Sequence, residues 1–124
     1  METRRSVVVV EEGLALAENL SEILEMLGHD VRIVSTAEDA LAELDWRSAD
    51  LILVDWQAPS GSGARLAAKL RSRGSSIPVV AAVAFADEET ATSALAGGAT
   101  EILREPLDLS RLLAVIRSLP DGRV

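Results

Sequence analysis

The sequence predicts an α/β domain built on one parallel, five-stranded sheet. Two unbroken apolar runs, Val7–Val10 and Leu51–Val54, suit strands buried on both faces. Longer stretches with apolar residues at helical spacing lie between such runs. The two patterns alternate along the whole chain, the signature of a parallel sheet with crossover helices.

At 124 residues the chain has the length of one domain. A hydrophobic content of 48% excludes a disordered tail as the main reading. The net charge of -8 argues against binding nucleic acid or an anionic membrane non-specifically. Cysteine is absent, so disulfides and thiolate chemistry are excluded. No apolar run approaches the roughly 18 residues that would span a bilayer. The four valines after Ser6 are too few for a signal-peptide core, so a cytoplasmic setting is expected. Aromatic residues are sparse (Trp46, Trp56 and Phe85), which leaves little for base stacking.

Val7–Val10 reads as the first strand, closed by Glu11, Glu12 and Gly13. Leu14, Leu16, Leu20, Ile23, Leu24 and Leu27 then recur at helical spacing, with Glu18, Glu22 and Glu25 among them as a solvated face. Gly28 is placed to end that helix in a left-handed turn, and His29 after it is expected at the surface. Val31, Ile33 and Val34 form the second strand. Thr36 begins a helix, with Asp39 three residues on in a variant capping box and Ala40, Leu41 and Leu44 on its apolar face.

Asp50–Val54 is the third strand. Pro59, Gly61 and Gly63 force a loop after it. A helix over Ala64–Arg73 closes at Gly74. Ile77–Val83 is the fourth strand, entered through Pro78, a position tolerated near a strand start. Asp87 caps a helix running to about Ala96, with Thr90, Thr92, Ser93 and Gly97 making it the weakest by composition. Glu101–Leu103 is a short fifth strand, followed by Glu105 and Pro106. Asp108 caps a last helix carrying Leu112, Leu113, Val115, Ile116 and Leu119. The domain is expected over residues 1–120, with 121–124 as a tail or linker stub.

Right-handed crossovers leave few topologies for five such units. The flavodoxin-like (βα)5 doubly wound order, 2-1-3-4-5, sets strands one and three side by side. Glu11, Glu12 and Asp55 then converge at the carboxyl edge of the sheet, where ligands collect in open α/β folds. A carboxylate ending a buried strand is costly unless something there uses it, so Asp55 is the first residue to explain.

These pieces together resemble the receiver domain of two-component response regulators. The resemblance rests on Val7–Glu12, Asp50–Asp55, Pro59, Gly63, Ile77–Val80, Gly98, Ala99 and Pro106, and covers nearly the whole chain. It implies that Asp55 matches the phosphoryl acceptor and that Glu11 and Glu12 match the acidic pair that binds magnesium with it. A divalent ion and a lysine would relieve the repulsion between a carboxylate nucleophile and a phosphate dianion. The second acidic residue is usually aspartate, and the extra methylene of Glu12 shifts its oxygens by about one bond, against magnesium's demand for near-ideal octahedral geometry.

Two departures are larger. Val83 stands where the family has serine or threonine, and Glu105 stands where it has lysine, directly before Pro106. A like charge ~4 Å from a carboxylate costs about 4 kcal/mol at an effective dielectric near 20. Arg104 is the nearest cation in sequence, and strand alternation points it away. Ile102 takes the place of the family's switching aromatic. The resemblance therefore implies an atypical receiver, with fold and acceptor kept and phosphorylation impaired. Its partner would be a protein, a histidine kinase or a second copy, docking on the fourth helix, fifth strand and fifth helix through Leu95, Ile102, Leu109 and Arg111. The alternative is a working acceptor at Asp55 with Mg2+ held by Glu11 and Glu12. Trp56 is expected either at the pocket mouth or as an exposed loop aromatic, and Phe85 either plugs the pocket, anchors a partner or packs under its loop. A hydrolase or flavin carrier is the weakest reading, because the acidic loop Glu11–Gly13 would repel a cofactor phosphate.

Overall fold

The structure is a computed structural model that describes residues 3–43, 49–56, 62–84 and 87–120. Five strands and five helices alternate: β1 (Ser6–Val10), α1 (Leu14–Met26), β2 (Asp30–Val34), α2 (Ala37–Glu43), β3 (Leu51–Asp55), α3 (Ser62–Ser72), β4 (Val79–Ala84), α4 (Glu88–Ala96), β5 (Glu101–Glu105) and α5 (Leu109–Arg117). The strands form one parallel sheet in the order β2-β1-β3-β4-β5. The flavodoxin-like (βα)5 expectation is thus met, and β1 lies beside β3.

Side-chain alternation explains the apolar runs. Val7, Val9, Leu51 and Leu53 turn to one face, where they bury Ala17 and Leu24 of α1 with Leu112 and Ile116 of α5. Val8, Val10, Ile52 and Val54 turn to the other, against Ala40 of α2 and Leu66 and Leu70 of α3. Ala81 and Val83 continue that second face under α4, meeting Ala91, Ala94 and Ala99. Both faces of the central strands are therefore covered.

The caps fall where the sequence places them. Thr36 Oγ1 accepts from the Asp39 N–H at 3.1 Å, and Asp87 and Asp108 accept from the Thr90 and Ser110 N–H groups, each at 2.9 Å. Gly28 has φ +93 and Gly74 φ +80, the left-handed turns that end α1 and α3.

Several expectations need correction. His29 is buried, 4% exposed, where a surface position was expected. Its Nδ1 accepts from the Arg5 N–H at 3.1 Å, because the left-handed Gly28 turns the chain back under β1. Arg5 is also buried, and its guanidinium donates to the carbonyls of Leu119 (2.7 Å) and Pro120 (2.8 Å), closing the end of α5. β5 runs on through Arg104 and Glu105, since Val83 and Ala84 of β4 pair with them. β4 begins at Val79, after Ile77 and Pro78, and α3 begins two residues earlier than expected, at Ser62. Trp46, Pro59, Phe85 and the expected tail at 121–124 lie outside the described residues.

Candidate acidic site at the carboxyl edge of the sheet

Asp55 is the last residue of β3 and is half-buried. Glu11 follows β1, anchored by its N–H to the Val34 carbonyl at 3.0 Å, and its Oε1 accepts from the Gly13 N–H at 2.9 Å. Glu105 ends β5. The three carboxylates line one small cavity of ≈ 20 Å³, walled by Val9, Leu20, Leu53, Ala82 and Leu107. That is room for about one water. No cation stands among the described residues that line it.

The electrostatics follow. Burial raises the Glu11 pKa most, against the stabilising Gly13 N–H, and the charges of Asp55 and Glu105 and a hydrogen bond with Asp55 raise it further. Glu105 is raised by burial first and by the Asp55 charge second. Both groups hold a proton in the folded chain at pH values where the unfolded chain has released it. Metal-free stability is therefore expected to increase as pH falls through the raised values toward the ordinary glutamate value of 4.5. Asp30, Glu38 and Asp87 are lowered, so their contribution disappears only at more acid pH. Urea midpoints across this window test the sign, and a flat or falling profile would mean that the cavity neither buries these carboxyl groups nor sets them against one another.

The remaining sites separate. Glu12 is exposed and lies outside the cavity lining, while Glu11 shares that lining with Asp55. Among the described residues no three carboxylates or histidines are arranged as an ion's ligands would be. Glu11 Oε1 is engaged by the Gly13 N–H, and Glu12 lies outside the cavity lining. Arg104 turns to α4, its guanidinium 2.8 Å from Glu88 Oε1, as alternation predicts. The chain has a single lysine, Lys69. It lies beside Arg65 and Arg73 on α3, away from this cavity.

Val83 is fully buried under α4, and Ile102 packs half-buried against the same cluster. Pro106 is exposed just after β5, joined to Glu105 by a cis peptide bond. Gly63 is required by close approach, since a Cβ there would fall 2.8 Å from Val54 Cγ1 and 2.9 Å from Trp56 Cε3. Trp56 takes neither expected position. It is half-buried, away from the cavity lining, and packs against both the core beneath α2 and α3 and the α4 cluster.

One structural residue escaped the sequence reading. Arg71 donates to the carbonyls of Gly98 (2.8 and 3.2 Å), Ser75 (3.1 Å) and Ile77 (2.9 Å), tying α3 to the loop before β5. The available signal was a charge four residues after Ala67, on the buried side of the helix.

A doubly wound five-stranded sheet with an aspartate ending β3 and an acidic residue after β1 is the arrangement that the resemblance to receiver domains implies. Residues 7–117 match the response regulator receiver domain, and the chain belongs to that family. It is 34% identical to "Sensory transduction protein RegX3" of Mycobacterium bovis over 92% of this chain and 50% of that one. It is 31% identical to "Response regulator RppA" of Synechocystis over 91% of this chain and 49% of that one. The chain thus spans about half the length of these relatives. The fold is shared with the non-phosphorylated HemR receiver domain of Leptospira biflexa, at TM-score 0.81 and 24% identity over 98% of this chain and 100% of that one. Receiver domains are signalling modules rather than typical enzymes, they generally bind Mg2+ at the phosphorylation site, and related regulators interact with histidine kinases. No described helix is long and apolar enough to cross a membrane.

Proposed function

We propose that this chain is the receiver domain of a cytoplasmic response regulator or hybrid kinase that signals by protein contact, with phosphorylation of Asp55 impaired. The observation that carries this reading is Glu105 beside Glu11 and Asp55 in one cavity, with Arg104 paired to α4 instead. A phosphoryl group arriving at Asp55 would bring close to two further negative charges into that lining. Val83 offers no hydroxyl and Ile102 no mobile aromatic to report such a group. The domain is proposed over residues 1–120, with 121–124 as a tail or linker stub.

The docking surface is α4, β5 and α5, where Leu95 and Arg111 are exposed and Ile102 and Leu109 half-buried. Its partners are a histidine kinase, an output partner or a second copy, without nucleic acid or membrane contact by this domain. The reading is tested in a Trp46→Phe background, with Trp56 as reporter one residue past Asp55. A small phosphodonor with magnesium is expected to leave Trp56 emission unchanged. A saturable change that is lost in Asp55→Asn would favour instead the working acceptor with a cation held by Glu11 and Glu12.

A further inference from the structure

Among the described residues α3 carries a basic stripe, against the chain's overall charge of -8. Arg65, Lys69 and Arg73 follow at i, i+4 and i+8, so they form one stripe along α3, about 12 Å long at 1.5 Å per residue. They border an open groove of ≈ 420 Å³ between α3 and α2, whose other wall is Glu38, Leu41 and Ala42. Arg65 is paired with Glu38 across it at 2.8 Å. Lys69 and Arg73 are exposed, and their side chains make no hydrogen bond or ion pair among the described residues. A groove with cations along one rim and an apolar floor fits an amphipathic helix with carboxylates on one edge and apolar side chains beside them.

The chain itself presents such a helix on the opposite face of the sheet. Glu18, Glu22 and Glu25 lie exposed along the outside of α1, spanning about 10 Å of helix at the same rise. Beside them Ile23 is 38% exposed, Met26 86% and Leu27 40%. Among the described residues only Leu95 is another exposed large hydrophobic, so three of the four fall on this single turn. α1 covers one face of the sheet and α2 with α3 covers the other, so the two surfaces cannot meet within one molecule.

We infer that α1 of one copy seats in the α2–α3 groove of the next, its glutamates against Lys69 and Arg73 and its apolar turn against Leu41 and Ala42. Such a contact joins two different patches, so it is head-to-tail and continues unless rotation closes a ring. The overall negative charge opposes association at long range, but salt screens separations beyond about 8 Å at physiological ionic strength, while the matched stripes act at contact. This surface is separate from α4, β5 and α5 and does not depend on the state of Asp55.

Sedimentation equilibrium at physiological salt tests it. The mean mass of the wild type is expected to climb with concentration past that of a dimer, or to stop at a closed ring larger than a dimer. Lys69→Glu with Arg73→Glu, and separately Glu18→Lys with Glu22→Lys, should each weaken association at least tenfold with unchanged circular dichroism. All four changes in one chain should restore it, because the charges are exchanged rather than lost. An equimolar mixture of the two double variants should associate past a dimer in alternating order, since the unchanged α1 of one matches the unchanged groove of the other and the two reversed surfaces match each other. A monomeric wild type at millimolar concentration would overturn the inference, as would a wild type that stops at a dimer, double variants that associate like the wild type, a four-change chain that stays monomeric, or a mixture that stays monomeric or stops at a dimer.

Discussion

Glu105→Lys is expected to accelerate phosphoryl uptake at Asp55 from a small phosphodonor with magnesium by at least tenfold. The substitution replaces a negative charge in the cavity lining by a positive one. One unit charge at ~4 Å is worth about 4 kcal/mol at an effective dielectric near 20, and the change spans two units. Glu105 is only half-buried, so solvent removes much of this, and tenfold is the conservative remainder. The same variant should be more stable than the wild type at neutral pH by on the order of 1 kcal/mol, because Glu11 and Asp55 gain a counter-charge. That advantage should shrink toward pH 4.5, as the wild-type carboxyls take up protons. Glu105→Gln should give part of the stability and little of the rate, since it removes repulsion without adding attraction. Rates follow from intact mass against time, and stability from urea unfolding. An uptake rate equal to the wild type's would place the obstacle elsewhere, at Val83 or at the outward-facing Glu12.

Arg71→Ala is expected to cost about 3 kcal/mol of folding stability. Its guanidinium satisfies the carbonyls of Ser75, Ile77 and Gly98, which come from the loop before β4 and the loop before β5. Hydrogen bonds from a charged donor are worth about 1.5–3 kcal/mol each, and the stranded carbonyls regain only part of that from water. Gly98 shows how closely the loop is seated, because a Cβ there would meet Arg71 Cγ at 3.3 Å. Arg71→Lys should recover little, since one ammonium cannot reach three carbonyls set around a planar fork. Hydrogen exchange should quicken first at Thr100, whose N–H bonds to the Val79 carbonyl at 2.8 Å beside the loop. A loss below about 1 kcal/mol would show that water replaces the guanidinium without cost.

Legibility in the sequence followed the range of the forces at work. Val7–Val10 and Leu51–Val54 announced buried strands because a local run of apolar residues has few other stable uses. Asp87 and Asp108 announced helix starts because a cap acts within three residues. Asp55 was legible because its strand was. β5 was read short because Arg104 and Glu105 do not resemble strand residues, and only pairing with Val83 and Ala84 draws them into the sheet. Whether Glu11 or Glu12 turns inward depends on how the chain leaves β1, which local pattern does not specify.

The partners of His29 and Arg71 were out of reach for a different reason. Each is held by groups distant in the chain: His29 by the Arg5 N–H, Arg71 by the carbonyl of Gly98. The basic residues of α3 gain their meaning only with α2 as a second wall and α1 on the far face. The inverted charge at Glu105 was legible only against the family pattern. The structure then adds that its carboxylate shares a cavity with Glu11 and Asp55.

The most direct measurement is the intact mass of the wild-type chain after prolonged exposure to a small phosphodonor with magnesium. The account predicts that the mass stays that of the unmodified chain, while Glu105→Lys treated alongside gains one phosphoryl group at Asp55. Stoichiometric modification of wild-type Asp55 at the variant's rate would contradict it.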